Sequence, residues 1–446
     1  MEKADVLVLG GSAAGITAAI TARRHYPNKR VLLVRREQQV TIPCGIPYIF
    51  GTLGEPGNCL LPDALLDKNG IQLRITEATA IDPKAKTLQT ADGEIGYDRL
   101  ILATGSVPAR PPIPGIDLEG VFEIRKDADY LRHLQQEVAG ASDVVIIGCG
   151  FIGIEFADEI NKLGGKNITV VEIAPFCLSL SYDREFCAEM EQFVMSRGVT
   201  LRTSAAVGGL KGNGRVTSVQ VKGADDAIPA DVVILGIGAK ANADLAQQAG
   251  LRIGQTGGIA VDRTMRTSEP GIFACGDCAE KISFFGGRPS PLKLASIAEL
   301  EARIAGANLF GIRRESDGTV GVWSTAVGEF AMGTAGLTET MAKKLGYQVV
   351  CATVEGPNRH PGIMPGAAKT KVKLVFEYNS QVLLGGQVRG SDTVGEMINI
   401  VAAGVQKRMT AEDIATFQMG THPALTASPI TYPLVNAAEI AIGQMQ

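Results

Sequence analysis

Residues 4–10, Ala-Asp-Val-Leu-Val-Leu-Gly, form a short and almost unbroken apolar run, the pattern of a strand buried on both faces. Small residues follow at Gly10-Gly11-Ser12-Ala13-Ala14-Gly15; residues 16–24 then read as a helix and residues 31–34 as the next parallel strand. The texture returns further on: a strand over residues 143–147, the turn Gly148-Cys149-Gly150-Phe151-Ile152-Gly153, a helix over 154–163 and a strand over 168–171. A strand, glycine turn, helix and strand of this size bring a helix N-terminus to a tight turn, where backbone N–H groups can hold a pyrophosphate. One such glycine run is a weak signal, but two in the same setting predict two dinucleotide-binding units.

Between them, Leu100-Ile101-Leu102-Ala103-Thr104-Gly105-Ser106 reads as a strand leaving the first unit, and the proline-rich link 108–114 as the crossing to the second. Residues 232–235, followed by Gly236-Ile237-Gly238, read as the return. Gly271-Ile272-Phe273-Ala274-Cys275-Gly276-Asp277 is a further strand ending in Gly-Asp, and a small-residue helix over 291–309 follows it. From residue 325 onward the texture becomes strand-rich, with helices at 338–345 and 393–403. The expected fold class is α/β, with two Rossmann-like dinucleotide-binding domains and a C-terminal α+β domain.

Composition narrows the picture. The 446 residues suffice for two or three domains with full cores. A net charge of −4 gives no electrostatic case for a nucleic acid partner. No apolar stretch reaches the about 18 residues that span a bilayer, so no membrane partner is expected. The apolar start is interrupted by glycines and reads as strand, turn and helix rather than as a signal peptide. Eight cysteines are scattered along the chain, unlike the dense framework of a small secreted protein, so a reducing cytoplasm is the expected location. Four dispersed histidines make no zinc site, and no metal is expected.

The candidate chemistry centres on Cys44, in the run Val40-Thr41-Ile42-Pro43-Cys44-Gly45-Ile46-Pro47-Tyr48. The next cysteine is Cys59, outside that loop, which points to one-cysteine redox chemistry rather than a local disulfide. With Pro43 just before it, Cys44 is expected to begin a helix, a place that favours the thiolate. Glu172 ends the second strand of the second unit. An acid there can bind both hydroxyls of an unmodified ribose and repel a 2′-phosphate, so NADH is expected over NADPH.

The ordered set GGSAAG, ATGS, GCGFIG and IFACGD resembles the FAD-dependent pyridine nucleotide-disulfide oxidoreductases, over essentially the whole chain. Cys44-Gly45-Ile46-Pro47-Tyr48 is similar to the single-cysteine branch: coenzyme A disulfide reductases, NAD(P)H sulfur reductases, NADH oxidases and NADH peroxidases. The resemblance implies an FAD-binding domain at residues 1–112 and 245–324, an NADH-binding domain at 113–244 and a dimerisation domain at 325–446. It also implies a homodimer in which the partner subunit completes each active site; with the chain ending soon after the third domain, no appended rhodanese-like domain is expected.

The resemblance assigns roles as well. Gly10, Ser12, Ala13, Ala14 and Gly15 would cradle the FAD pyrophosphate, and Ala78, Ala103, Thr104, Gly105 and Gly276 would also line the FAD site. Asp277 would accept from the ribityl chain. Leu294 and Ala295 would open a helix facing the flavin N1–C2=O edge. Gly148, Gly150, Ile152, Gly153 and Gly238 would meet the nicotinamide dinucleotide, with Phe151 covering the flavin and Glu155 near the nicotinamide. Electrons would pass from NADH through FAD to Cys44, and from there to a small disulfide or to sulfane sulfur. Cys275 and Cys278 straddle Gly276-Asp277 and are expected to fill ordinary FAD-domain positions.

The chain departs from the family in three places. Ala13 stands where peroxidases and water-forming oxidases carry a histidine, which counts against peroxide reduction. Arg35 stands where an acid usually meets the FAD ribose, leaving Arg35 stacking, or Glu37 reaching back, for the adenosine end. The tyrosines that coenzyme A disulfide reductases present from the partner are missing. His422-Pro423 instead resembles the His-Pro of two-cysteine relatives, and a histidine of pKa about 6.5 suits thiolate protonation. His422 is the expected acid–base group and His360 the alternative. Tyr48 and Arg23 are candidate substrate contacts, although Arg23 and Arg24 also suit a solvated helix C-terminus. The expected activity is NADH-dependent reduction of a small disulfide, persulfide or polysulfide. The alternatives are an NADH oxidase and a flavin electron-transfer or redox-sensing partner protein.

Overall fold

The structure, a computed structural model, describes residues 2–446 and divides into two compact units. One holds the chain up to Pro112 with Phe122–Gly140 and Ile237–Thr319; the other holds Ile113–Val121, Ala141–Gly236 and Val320–Gln446.

In the first unit, Glu2–Leu9 is the central strand of a seven-stranded sheet. It pairs in parallel with Val31–Arg35 on one side and Gly93–Leu102 on the other, and Ile272–Ala274 adds in parallel to Gly93–Leu102. Strand side chains alternate between faces, and both faces are covered here. Val6, Val8, Val31 and Leu33 join one core cluster, while Leu7, Leu9, Leu32 and Val34 join the other. Helix Ala13–His25 packs against helix Ala295–Asn308 on the first of these faces. The alanines Ala18, Ala19 and Ala22 let the helices approach closely: a Cβ on Gly306 would lie 2.6 Å from the Ala18 carbonyl oxygen.

In the second unit, Asp143–Ile147 pairs in parallel with Asn167–Val171 and with Val232–Leu235, and Thr200–Arg202 extends the sheet beyond Asn167–Val171. Helix Phe151–Asn161 follows the central strand. The unit also holds a small antiparallel sheet of Val207–Asn213, Arg215–Val221 and Ala227–Pro229, and an antiparallel sheet of five strands in the order Val322–Val327, Phe330–Gly336, Leu383–Gly390, Lys369–Glu377, Val349–Pro357. Helix Val394–Gln406 packs on three strands of the five-stranded sheet and helix Pro433–Met445 on the other two. Among the described residues no helix is long and apolar enough to cross a membrane.

The glycine-turn helices begin at Ala13 and Phe151, three residues earlier in each case than the apolar spacing suggests. In both units the helix begins inside the glycine motif, so its first-turn N–H groups lie at the turn itself.

Candidate active site

The first glycine turn is shaped by positions that tolerate no side chain. Gly10 has φ +119°, and a Cβ on Gly15 would sit 1.9 Å from the Gly10 carbonyl oxygen. Ser12 caps the helix in extended conformation with no side-chain hydrogen bond, so the amides of the first turn have no side-chain acceptor. Next to it the Ala103 N–H donates to the Leu9 carbonyl at 2.8 Å, and Thr104 Oγ1 donates to the Asn242 carbonyl at 2.6 Å. These are the features a bound diphosphate needs: a bare turn, a helix N-terminus and short side chains. The residues present therefore fit FAD.

The third FAD segment is held by groups that the local sequence does not reveal. Gly276, at φ +75°, donates its N–H to Glu301 Oε2 at 2.9 Å. Lys281 Nζ donates to Glu301 Oε2 and to the Ala279 carbonyl, each at 2.9 Å, and to the Gly276 carbonyl. Lys281 and Glu301 are both buried, so the loop carrying Asp277 rests on an enclosed ion pair. Asp277 Oδ2 accepts from Ser106 Oγ at 2.8 Å and lies 3.9 Å from Lys126 Nζ. Leu294 and Ala295 do open the following helix, as the pattern predicts. Cys275 and Cys278 are free and fully enclosed, and burial pushes both thiols up in pKa.

Arg35 is held by protein partners beside the first glycine turn. Its buried guanidinium makes a bidentate pair with Asp63 at 2.6 and 2.7 Å and donates to the Glu37 and Gln38 carbonyls. Its stem fills the space over Gly11, where a Cβ would lie 2.4 Å from Arg35 Cδ. Ala78 begins a strand paired antiparallel with Thr87–Thr90. Arg23 folds back to donate to the Lys29 carbonyl at 3.1 Å and to the Pro27 carbonyl, bonding the loop that follows its own helix.

Cys44 is exposed and unbridged. It lies on a 3₁₀ turn, Pro43–Gly45, followed by a second, Pro47–Ile49, and it does not begin an α-helix. Proline explains this correction. An α-helix from Pro43 needs the residue-47 N–H to bond the Pro43 carbonyl, and Pro47 has none. The Ile46 N–H bonds that carbonyl instead, at 3.3 Å. Tyr48 sits half-buried in the second turn. The turn also has a neighbour hidden from the sequence. Cys59 Sγ donates to the Ile42 carbonyl at 3.4 Å and would lie 2.4 Å from a Cβ on Gly45. Position 45 therefore has no room for a side chain, and burial raises the Cys59 thiol.

The second glycine turn repeats the first: Gly148 has φ +105°, and a Cβ on Gly153 would lie 1.9 Å from the Gly148 carbonyl oxygen. Glu172 faces this turn. Its Oε2 accepts from the Cys149 N–H and its Oε1 from the Ala174 N–H, both at 2.7 Å. Phe151 meets Trp323 edge-on at 5.5 Å and Tyr182 at 6.1 Å. Ile152 is exposed. Glu155 Oε1 accepts from Thr325 Oγ1 at 2.8 Å, and burial, with Glu159 adding to it, pushes the Glu155 carboxyl up to about 7. Gly238, at φ +91°, lies in the first unit, where its carbonyl accepts from the Ala109 N–H.

His422 is exposed, and its Nδ1 accepts from the Ala424 N–H at 3.2 Å, which leaves the proton of the neutral ring on Nε2. His360 Nδ1 donates to the Thr426 carbonyl at 3.1 Å, and the His360 N–H donates to the Pro423 carbonyl. The two candidate histidines therefore share one loop cluster.

Cys149 and Cys177 are joined in a disulfide, where the scattered spacing gave no reason to expect one. They are far apart in sequence, but each follows a strand, Asp143–Ile147 or Asn167–Val171, that pairs in parallel with the other. Both chain segments thus leave the sheet at the same edge, with the Cα atoms 4.9 Å apart.

The folds, the two glycine turns and the intervening segments define the class. The chain belongs to the pyridine nucleotide-disulphide oxidoreductase family: the family's sequence model covers residues 4–302 and the model of its dimerisation domain covers residues 322–431. It is an NAD(P)H-dependent flavoprotein oxidoreductase whose cofactors are FAD and a nicotinamide dinucleotide. Among its relatives is an NAD(P)H coenzyme A polysulfide/persulfide reductase of Pyrococcus horikoshii, 32% identical, with 98% of each chain covered. An NADH oxidase of Methanocaldococcus jannaschii is 29% identical, with 98% of this chain and 99% of the other covered. The solved structure of an NAD-dependent persulfide reductase from A. fulgidus superposes with a TM-score of 0.91 at 31% identity, covering 98% of this chain and 83% of that one.

Proposed function

We propose that the chain reduces a low-molecular-weight disulfide or sulfane sulfur through Cys44, with NADH as the preferred donor. The observation that carries this reading is Cys44 itself: an exposed cysteine outside any disulfide, on a short turn, in the unit whose glycine turn fits FAD. Likeness to a polysulfide/persulfide reductase over nearly the whole of both chains supports it.

On this reading residues 1–112 and 245–324 bind FAD, 113–244 bind NADH and 325–446 pair two copies into a homodimer. FAD, when bound, supplies the route by which reducing equivalents from the nicotinamide reach sulfur. Gly10, Ser12 and Gly15 hold its pyrophosphate by backbone contact, with Ala103, Thr104, Gly105 and Asp277 beside it. Glu172 exchanges the N–H groups it now accepts for ribose hydroxyls, which favours NADH over a 2′-phosphorylated donor.

The Cys44 thiolate attacks one sulfur of the small disulfide, breaking its S–S bond and leaving half the substrate on Cys44 as a mixed disulfide. The departing thiolate takes a proton. The imidazolium form of His422 of a second copy supplies it from Nε2 and takes a replacement proton from solvent, with His360 in the same loop cluster as the alternative. The net reaction consumes one disulfide, one NADH and one proton, and yields two thiols and NAD⁺. A persulfide reacts likewise, its outer sulfur leaving as hydrosulfide.

The second reading is an NADH oxidase, favoured by the Methanocaldococcus relative of that name. Ala13 argues against peroxide as acceptor, because no protonating side chain stands at that place in the turn. Anaerobic NADH oxidation against coenzyme A disulfide, coenzyme A persulfide, polysulfide, glutathione disulfide and peroxide, with oxygen run separately, discriminates the two. Fast turnover with a sulfur acceptor supports the reductase; turnover with oxygen alone supports the oxidase.

A further inference from the structure

The chemistry proposed above makes no use of the Cys149–Cys177 disulfide, yet the bond lies in the second glycine turn. Cys149 stands between Gly148 and Gly150, and Cys177 stands on the loop that leaves Asn167–Val171. Both residues are 1% exposed. The same two segments are joined by two further links. The Cys149 N–H donates to Glu172, and the Cys149 carbonyl accepts from the Leu178 N–H at 2.9 Å. The Cys177 N–H in turn donates to Glu191 Oε1 at 2.9 Å, within helix Arg184–Ser196. The disulfide thus ties the glycine turn to a loop residue that is itself anchored on a helix. The loop reaches the surface on either side of Cys177, with Ile173 and Leu180 exposed. The turn is open at Gly150: beyond its two chain neighbours, nothing lies within 4 Å of where a Cβ there would be.

We propose that Cys149 and Cys177 form a redox-addressable positioning pair for nicotinamide dinucleotide binding, with the disulfide state binding NADH more tightly. The proposal rests on the reading that Gly148–Gly153 and Glu172 hold the dinucleotide. With the bond intact, the turn keeps one backbone arrangement and Glu172 stays beside it. With the bond broken, two hydrogen bonds remain, so the turn still forms but samples more conformations, and binding must then order it.

The pair is oxidised by a low-molecular-weight disulfide. One cysteine thiolate displaces a small thiolate and forms a mixed disulfide. The second cysteine attacks the protein-bound sulfur and releases the second small thiol. Two electrons pass from the protein to the small disulfide, two protons leave with the two small thiols, and excess thiol reverses the exchange. Both sulfurs are buried, so exchange waits on opening of the 173–182 loop and is slow beside turnover. The pair therefore records the thiol–disulfide balance of its surroundings over many turnovers, and it favours NADH capture when disulfide is abundant.

The test uses FAD-loaded Cys44→Ser enzyme, so that exchange at Cys44 does not confuse the readout. One portion is treated with oxidised glutathione and one with dithiothreitol, and both are desalted. Peptide mapping scores the 149–177 cross-link. Anaerobic flavin bleaching against NADH concentration then gives the NADH Kd and the limiting rate separately. The expected result is a Kd about threefold to tenfold higher in the reduced portion, with an unchanged limiting rate and FAD content. Cys177→Ser should sit at the reduced value under both treatments; Cys177→Ala serves if that variant folds poorly.

Equal Kd values for cross-linked and reduced enzyme overturn the proposal, as does a thermal shift on reduction without a Kd shift. A pair that stays as two thiols under oxidised glutathione also overturns it. Glu172→Ala separates the two levels. If it raises the NADH Kd while reduction does not, the positioning role alone fails. If it leaves the Kd unchanged, the dinucleotide site is misassigned and the proposal falls with it.

Discussion

Glu155 shows how burial tunes a single group. Its carboxyl is enclosed beside Thr325, and burial lifts it to about 7, with the Thr325 hydrogen bond opposing and Glu159 adding to the rise. A folded-state pKa above the unfolded one means that the native state binds the extra proton. The stability from that proton is complete below the unfolded carboxylate value and is lost as pH rises through about 7. Glu155→Gln removes the titration. The stability of wild type relative to this variant should therefore fall between about pH 5 and about pH 8, by up to about 3 kcal/mol. Thermal unfolding of both proteins across that range measures it; a pH-independent difference contradicts the assignment. Residues such as Cys44, Glu172 and Asp277 are legible in the sequence because each stands in a short motif with fixed neighbours. Thr325, Cys59, Lys281 and Glu301 are not, because no motif spacing marks their partners, and Thr325 meets Glu155 across 170 residues of chain.

The two glycine turns are the most legible elements, and the reason is steric. Gly15 and Gly153 lie where a Cβ would meet the carbonyl oxygen of Gly10 or Gly148 at 1.9 Å, so a side chain at either place forces the turn to shift. The pattern shows the elements but places the helix starts three residues late, because each helix begins inside its glycine motif, at Ala13 and at Phe151. It also expected a helix at Cys44, where Pro47 ends any such helix by removing a donor. The turns are expected to fail independently. Gly15→Ala should lower FAD content several-fold. Gly153→Ala should keep FAD but raise the NADH Kd at least about tenfold, a cost of ~1.4 kcal/mol or more. Flavin absorbance per chain and NADH titration score both variants. Loss of FAD alone in Gly153→Ala would reverse the assignment of the two turns.

For the whole molecule, the order of segments was legible because the α/β texture gives way to an antiparallel sheet at residue 322, close to where the strand-rich pattern begins. The family's dimerisation domain covers this region, and the proposed site needs a histidine from a second copy beside Cys44 of the first. A shared site makes a specific prediction. Cys44→Ser and His422→Ala homodimers are each expected to be poorly active. After subunit exchange the mixed dimers contain one site with both native residues, so activity should recover toward a quarter of the wild-type value. No recovery, with mixed dimers demonstrated by mass, would place Cys44 and His422 on the same subunit or remove His422 from the chemistry. The Cys149–Cys177 bond is the feature least legible in the sequence, because only the parallel pairing of two strands brings its cysteines together.

The central claim is that electrons from NADH leave this flavoprotein through Cys44. The most direct measurement is the rate of NADH oxidation by FAD-loaded wild type and Cys44→Ser under strict anaerobiosis, with coenzyme A persulfide or a small disulfide as acceptor. The account predicts fast turnover by wild type and a loss of about a thousandfold or more in the variant, with NADH still bleaching the flavin in both. Equal sulfur-dependent turnover in the two proteins, or turnover that appears only when oxygen is admitted, contradicts it.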